Sequence, residues 1–261
     1  MVHPKKRLGQ HFLTDPAIAE RIVRLVPEEP DIRVVEIGPG KGILTEFLLT
    51  MNSPLQLIEI DSESVQYLIN RYPRLHDSIL EKDFLKLPDS FFDENPTHIV
   101  GNFPYNISTQ IFFKVLEHRK YIKSVTCMLQ KEVAQRIQSP PGSKVYGILS
   151  VLLQAYFSVK FHFNVKPGSF FPPPKVTSSV ITLTRNDTLA LKCNENLFFR
   201  VVKTTFNQRR KTIRNSLKTI LLNLRDDFEL LGKRPEQLSV DEFVELTNWV
   251  EPRLNIDKNK I

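Results

Sequence analysis

The sequence predicts an α/β chain: a Rossmann-like, largely parallel and doubly wound sheet, followed by a small domain made only of helices. Three observations lead there. Five short apolar segments read as strands and alternate with helical or mixed segments. The first of these strands runs directly into a glycine-rich turn, Gly38, Gly40 and Gly42. Beyond about residue 187 the apolar residues recur only at helical spacing, so the expected division is 1–186 and 187–261.

Taken in order, Asp15 and Pro16 supply an N-cap and a first helical residue, and Ile18, Ile22 and Val26 follow at helical spacing. "RVVEIGPG", "PLQLIEID", "SILEKD", "THIVGN" and "SVTCMLQ" are the five strands, with "SESVQYLINRY" and "STQIFFKVLEH" the clearest helices between them. "FSVKFHFNV" and "VTSSVITLT" alternate in polarity around a proline-rich loop and are expected as an antiparallel pair at one end of the sheet. "ENLFFRVVKTTF", "RRKTIRNSLKTILLNL" and "SVDEFVELTNWV" are the expected helices of the second domain, and the terminal "NIDKNKI" is expected to fray.

Composition excludes several function classes. The longest apolar tract, "ILSVLLQAYFSV", is interrupted by Gln154 and too short to cross a bilayer, and "MVHPKKRLGQ" lacks the apolar block of a secretory signal. A cytoplasmic protein without a membrane partner is expected. Cys127 and Cys193 stand far apart, with no CxxC and no clustered histidine, so neither a zinc site nor a disulfide framework is indicated and no metal is expected. The 36 Lys and Arg against 29 Asp and Glu give a net charge of +7. Positive residues concentrate in "KKR" (5–7) and "FNQRRKTIRNSL" (206–217), a pattern that suits a nucleic-acid partner or, in its blander form, a solvated helix face.

The chemistry gathers at strand ends. A strand entering Gly38, Gly40 and Gly42 and then a helix brings bare backbone close to a nucleotide-like ligand. Glu36 precedes the glycines, where a negative charge opposes a pyrophosphate and favours the amino group of a methionine moiety, which points to S-adenosylmethionine. Glu59, about twenty residues after Gly38, falls where a ribose-binding carboxylate belongs. Asp83 closes the third strand, and its carboxylate suits the adenine amine of a cofactor. "GNFPY" ends the fourth strand on the same edge. There the Asn102 side-chain oxygen and the Pro104 carbonyl would accept the two hydrogens of a target adenine amine, exposing its nitrogen lone pair, while Tyr105 would stack on the base.

Several motifs in one order carry a resemblance. "KKRLGQHFL", "EIGPGKGILT", "IEID", "DFLKL", "GNFPYNIST", "GSFFPPPKVTSSV" and "FNQRRKTIRNSL" resemble, across almost the whole chain, the ribosomal RNA adenine dimethyltransferases of the KsgA (RsmA) family, most closely its bacterial branch. The resemblance implies a methyltransferase sheet with a helical RNA-binding domain. It implies cofactor contacts from His11, Leu13, Gly38, Glu59, Asp83 and Asn102. Catalysis would come from Asn102, Pro104 and Tyr105, with Phe170 as the second face of the adenine sandwich. It also implies dimethylation of two adjacent adenosines in a hairpin near the 3′ end of 16S RNA by a monomer that meets an immature 30S subunit. Phosphate contacts are expected from Lys5, Lys6, Arg7, Arg209, Arg210, Lys211 and Arg214. Phe103 stands where the family's common form has leucine, a change in pocket shape only. Two alternatives stay open: an Erm-type enzyme acting on large-subunit RNA, and an assembly factor for which methylation is secondary.

Overall fold

A computed structural model of the protein describes residues 2–92, 96–221 and 227–258. The strands are β1 (Phe12–Leu13), β2 (Arg33–Ile37), β3 (Leu55–Glu59), β4 (Ile79–Glu81), β5 (Thr97–Asn102), β6 (Ile122–Gln130), β7 (Phe157–Val165), β8 (Phe170–Phe171) and β9 (Ser178–Arg185). Seven of them form one sheet in the order β4-β3-β2-β5-β6-β9-β7. Pairing is parallel from β4 through β6 and antiparallel between β6 and β9. Two hydrogen bonds join β7 to β9, Ser179 Oγ to Asn164 Oδ1 and His162 Nε2 to Thr182 Oγ1; one residue number rises as the other falls, the mark of the expected antiparallel pair. The parallel strands therefore end on one edge, and that edge carries Gly38, Glu59, Asp83 and Asn102.

The helices are α1 (Pro16–Val23), α2 (Ile43–Leu48), α3 (Ser62–Arg71), α4 (Ser108–Glu117), α5 (Lys131–Gln138), α6 (Ile148–Gln154), α7 (Glu195–Asn207), α8 (Ile213–Leu217) and α9 (Val240–Lys258). Asp15 caps α1 as its sequence position requires, its carboxylate accepting from Ala17 N and Ile18 N. The buried face of α1, Ala19, Ile22 and Val23, joins Val34, Leu44, Leu48, Val100 and Val180 in one cluster. A second cluster packs Val65 and Leu68 of α3 against Leu57 and Ile79. No helix among the described residues is long and apolar enough to cross a membrane.

The chain divides into two compact units, Met1–Ala134 with Ser158–Arg185, and Gln135–Phe157 with Asn186–Ile261. The later boundary falls one residue from the expected division, but the segment 135–157, which the sequence placed in the first domain, belongs to the second unit. The reason lies in α6: Leu149, Ser150, Val151, Leu152 and Leu153 are all buried, so this apolar run is a core helix of the helical unit. The expected helix "RRKTIRNSLKTILLNL" is also much shorter. Residues 208–211 turn, only Ile213–Leu217 is helical, and 222–226 lie outside the described residues. The Ile213 amide donates to the Lys233 carbonyl, which takes it out of any helix continuing from α7. At the carboxyl end α9 runs to Lys258, further than the fraying expected of "NIDKNKI"; residues 259–261 lie outside the described residues.

Gly101 lets β5 lie against β2 just before the edge. A Cβ there would sit 2.5 Å from the Ile37 carbonyl oxygen and 3.2 Å from the Phe103 ring, and the nearer of these is backbone that cannot yield cheaply. Gly101→Ala is expected to lower unfolding stability by about 1–3 kcal/mol, the scale of core overpacking. Urea titration checks this, and an unchanged midpoint would contradict it.

Candidate active site

At the carboxyl edge of the sheet lies a cavity of about 260 Å³. Four strand ends and the amino-terminal segment build it. Its wall includes Gly38 and Gly40 after β2, Glu59 and Ile60 after β3, Asp83, Phe84 and Leu85 after β4, and Asn102 to Ile107 after β5; Arg7 to Phe12 complete it. The structure thus brings His11, Gly38, Glu59, Asp83, Asn102, Pro104 and Tyr105 around one space.

Gly38 has φ +66°, and a Cβ on it would meet no atom within 4 Å. A side chain there would project into space left open for a ligand. Gly40 has φ +56° and supports the Phe12 ring, which a Cβ would approach to 2.7 Å. The Gly40 N–H donates to Glu59 Oε2 at 3.0 Å, while Glu59 Oε1 accepts from Ile60 N and Asp61 N, each at 2.9 Å. Burial pushes the Glu59 carboxyl up, and these three backbone donors pull it back toward the ionised form. Asp83 is half-buried and accepts from the Leu85 amide at 3.0 Å, which fixes its carboxylate at the cavity lip.

The base side is held by bonds between distant segments. Asn102 Nδ2 donates to the His11 carbonyl at 2.8 Å. The His11 ring bonds the Pro172 carbonyl at 2.7 Å through Nδ1, which must be the donor because a carbonyl only accepts. The Tyr105 hydroxyl meets the Ser178 hydroxyl at 2.5 Å, and burial raises its pKa, so it is a neutral phenol. The Tyr105 and His11 rings lie near-parallel with centroids 5.5 Å apart. With Nδ2 turned to the His11 carbonyl, the acceptor Oδ1 forms the opposite end of the amide.

Other residues singled out in the sequence stand apart from this wall. Leu13 and Phe170 face each other across the β1–β8 pair, are 5% and 4% exposed, and pack in the core with Val165 and Val180; neither lines the cavity. Their apolar side chains find a dry neighbour behind the wall, so any part Leu13 takes in binding is through its backbone. Glu36 is 1% exposed and absent from the cavity wall; its carboxyl accepts from Thr45 Oγ1 at 2.6 Å, and burial pushes its pKa up to about 8. It is mostly neutral at pH 7 and supplies no charge against a pyrophosphate. Lys5 ion-pairs with Asp61 at 2.5 Å and Glu63 at 3.2 Å, tying the amino-terminal segment to α3. Within the helical unit, Arg209 donates to the carbonyls of Ser143 and Lys144, while Arg210 and Lys211 are exposed. Lys5 and Arg209 therefore serve as internal ties. Gln10, Phe12 and Asn106 are further wall residues to which the sequence gave no role, although the first two sit in "KKRLGQHFL" and the third in "GNFPYNIST"; Arg7, expected only as a phosphate contact, also lines the wall. Among the described residues no group of three or more His, Cys, Asp or Glu is placed to hold a metal ion.

Comparison with known proteins agrees with this architecture. A family model described as ribosomal RNA adenine dimethylase matches residues 1–251. The chain is 54% identical to ribosomal RNA small subunit methyltransferase A of Phocaeicola vulgatus, over 100% of this chain and 93% of that one. It is 51% identical to the protein of that name from Flavobacterium johnsoniae, over 96% and 97%. Among solved structures, a dimethyladenosine transferase from Plasmodium falciparum superposes with a TM-score of 0.78 at 25% identity, covering 93% of this chain and 98% of that one. The 23S rRNA methyltransferase ErmE superposes at 0.66 with 26% identity, over 91% and 99%.

Glu36 yields a pH prediction. Its folded pKa of about 8 stands above the ordinary 4.5, so the folded state binds a proton that the unfolded chain releases between those values. Its contribution to stability is fully present below about pH 4.5 and declines as pH rises to about 8. Glu36→Gln is expected to gain in urea midpoint over wild type as pH goes from 5 to 8. Parallel pH profiles for the two proteins would contradict it.

Proposed function

This chain belongs to the ribosomal RNA adenine dimethylase family, and from that premise we propose that it dimethylates the exocyclic amines of two adjacent adenosines near the 3′ end of small-subunit (16S) ribosomal RNA. The observation that carries the chemistry is the fixed amide of Asn102 at the end of β5. The small-subunit target follows from relatives 51–55% identical over nearly the full chain, against 26% for ErmE.

The methyl donor is S-adenosyl-L-methionine, whose sulfonium supplies an electrophilic methyl group. The cavity suits its nucleoside part: Gly38 leaves the space a Cβ would fill, Glu59 offers carboxylate oxygens for a ribose diol, and Asp83 stands beside the apolar Phe84 and Leu85 for an adenine. His11 and Asn102 close the side toward the target, and Leu13 contributes through its backbone.

An adenine amine is a weak nucleophile because its lone pair is delocalised into the ring. Asn102 Oδ1 and the Pro104 carbonyl accept its two hydrogens, which favours a pyramidal nitrogen with its lone pair free to attack. Tyr105, held by Ser178, offers a ring face to the base and keeps it aligned. As the nitrogen bonds the methyl carbon, the carbon–sulfur bond breaks and the sulfur departs as a neutral thioether; the nitrogen then loses a proton to water, and a monomethylated amine re-enters for the second turn. Phe170 is buried here, so a sandwich with Tyr105 requires that its ring turn out of the core when the base enters. Arg210 and Lys211 supply phosphate contacts from the helical unit. We assign the protein to the cytoplasm, as a monomer that meets the immature 30S subunit.

Asn102→Ala is expected to bind the RNA as wild type does and to lose at least 100-fold in single-turnover methyl transfer, about the scale of one lost preorganised hydrogen-bonding group. Transfer within threefold of wild type would remove the amide from the mechanism. Mapping dimethyladenosine on both ribosomal RNAs after reaction separates the small-subunit target from a large-subunit one.

A further inference from the structure

We propose that Phe171 and Lys41 form a second nucleotide seat beside the cavity. On it the base next to the reacting adenosine stacks on the Phe171 ring, while an adjoining phosphate lies against the Lys41 ammonium. The inference rests on the reading above that the substrate is an RNA adenosine.

The two phenylalanines of "SFFPPP" meet opposite fates. Phe170 is buried at 4%, but Phe171 is 57% exposed, among the most exposed large apolar side chains of the described residues. Its ring is not isolated. Phe171 stands opposite Phe12 in the β1–β8 pair, and residues opposite one another in an antiparallel pair project to the same face. Phe12 lines the cavity, so Phe171 continues that wall outward.

Lys41 marks the same face, with its Nζ 5.1 Å from the centre of the Phe12 ring and 6.0 Å from that of Phe171. It comes from the loop between Gly40 and Gly42, so the position of this cation is set by the backbone that shapes the cavity. Phe12 cannot retreat, because its ring rests against the Gly40 backbone.

An exposed aromatic face with a lysine ammonium over it suits a base and its phosphate together. A target adenosine drawn out of its stack leaves its neighbour without a stacking partner on one side. Phe171 replaces that partner at the place the chain must pass, next to the wall that receives the target.

The test uses the full-length protein and a short RNA hairpin with two adjacent adenosines, carrying 2-aminopurine at the nucleotide beside the target. Wild type is expected to change the 2-aminopurine fluorescence on binding, Phe171→Ala to abolish that change and weaken binding about tenfold, and Phe171→Trp to restore stacking with stronger quenching. Lys41→Gln should reduce the slope of log affinity against log salt by about one phosphate contact. Thermal melting of each variant excludes a folding effect. If Phe171→Ala gives the wild-type fluorescence change and affinity on a hairpin that wild type methylates, the seat is refuted while the functional reading stands. If wild type neither binds nor methylates the hairpin, both fall.

Discussion

The site depends on one hydrogen bond, from the Asn102 amide nitrogen to the carbonyl of His11. Turning the amide over would set two oxygens against each other at the same 2.8 Å, so the bond decides which atom faces the ligand. It also joins residues 91 positions apart in the chain. His11 in turn is tethered to Pro172 and Tyr105 to Ser178, so the peptide after β5, the amino-terminal segment and the proline loop fix one another. The two-residue strands β1 and β8 are small as structure, yet they hold the carbonyl that orients the amide.

Two carboxyl groups on neighbouring strands show how solvation divides the work. Glu36 and Glu59 are both buried acids next to the glycine turn. Glu59 receives three backbone N–H groups, which pull its carboxyl back toward the ionised form against the upward push of burial. Glu36 receives one hydroxyl, and burial pushes its pKa up to about 8, so it acts as packing that bonds α2 to β2 through Thr45. Two acids on neighbouring strands thus differ in protonation through the donors each receives.

The sheet was legible because its strands are short, apolar and separated by helices at 3.6-residue spacing, and because glycines and acids sit at their ends. Asn102, Glu59 and Asp83 could be placed on one edge from that alone. Burial could not be read in the same way. "FF" at 170–171 presents two identical residues, and only the register with Phe12 and Leu13 sends one inward and the other out. Likewise "KKR" and "RR" read as positive charge, but Asp61 and the carbonyls of residues 143 and 144 claim Lys5 and Arg209 through contacts 56 and about 65 residues apart. The run "ILSVLLQ" offers only Ser150 and Gln154 as polar residues, too few to show from the sequence which unit a fully buried helix joins.

Which end of the Asn102 amide meets the base decides the mechanism, and a crystal structure with S-adenosylhomocysteine and an adenosine-containing RNA hairpin measures it directly. The expected result places Asn102 Oδ1 and the Pro104 carbonyl oxygen each about 3 Å from the exocyclic nitrogen of the target adenine, with Nδ2 still on the His11 carbonyl. An adenine bound in the cavity with those two oxygens turned from its amine, or with Nδ2 facing it, would contradict the account.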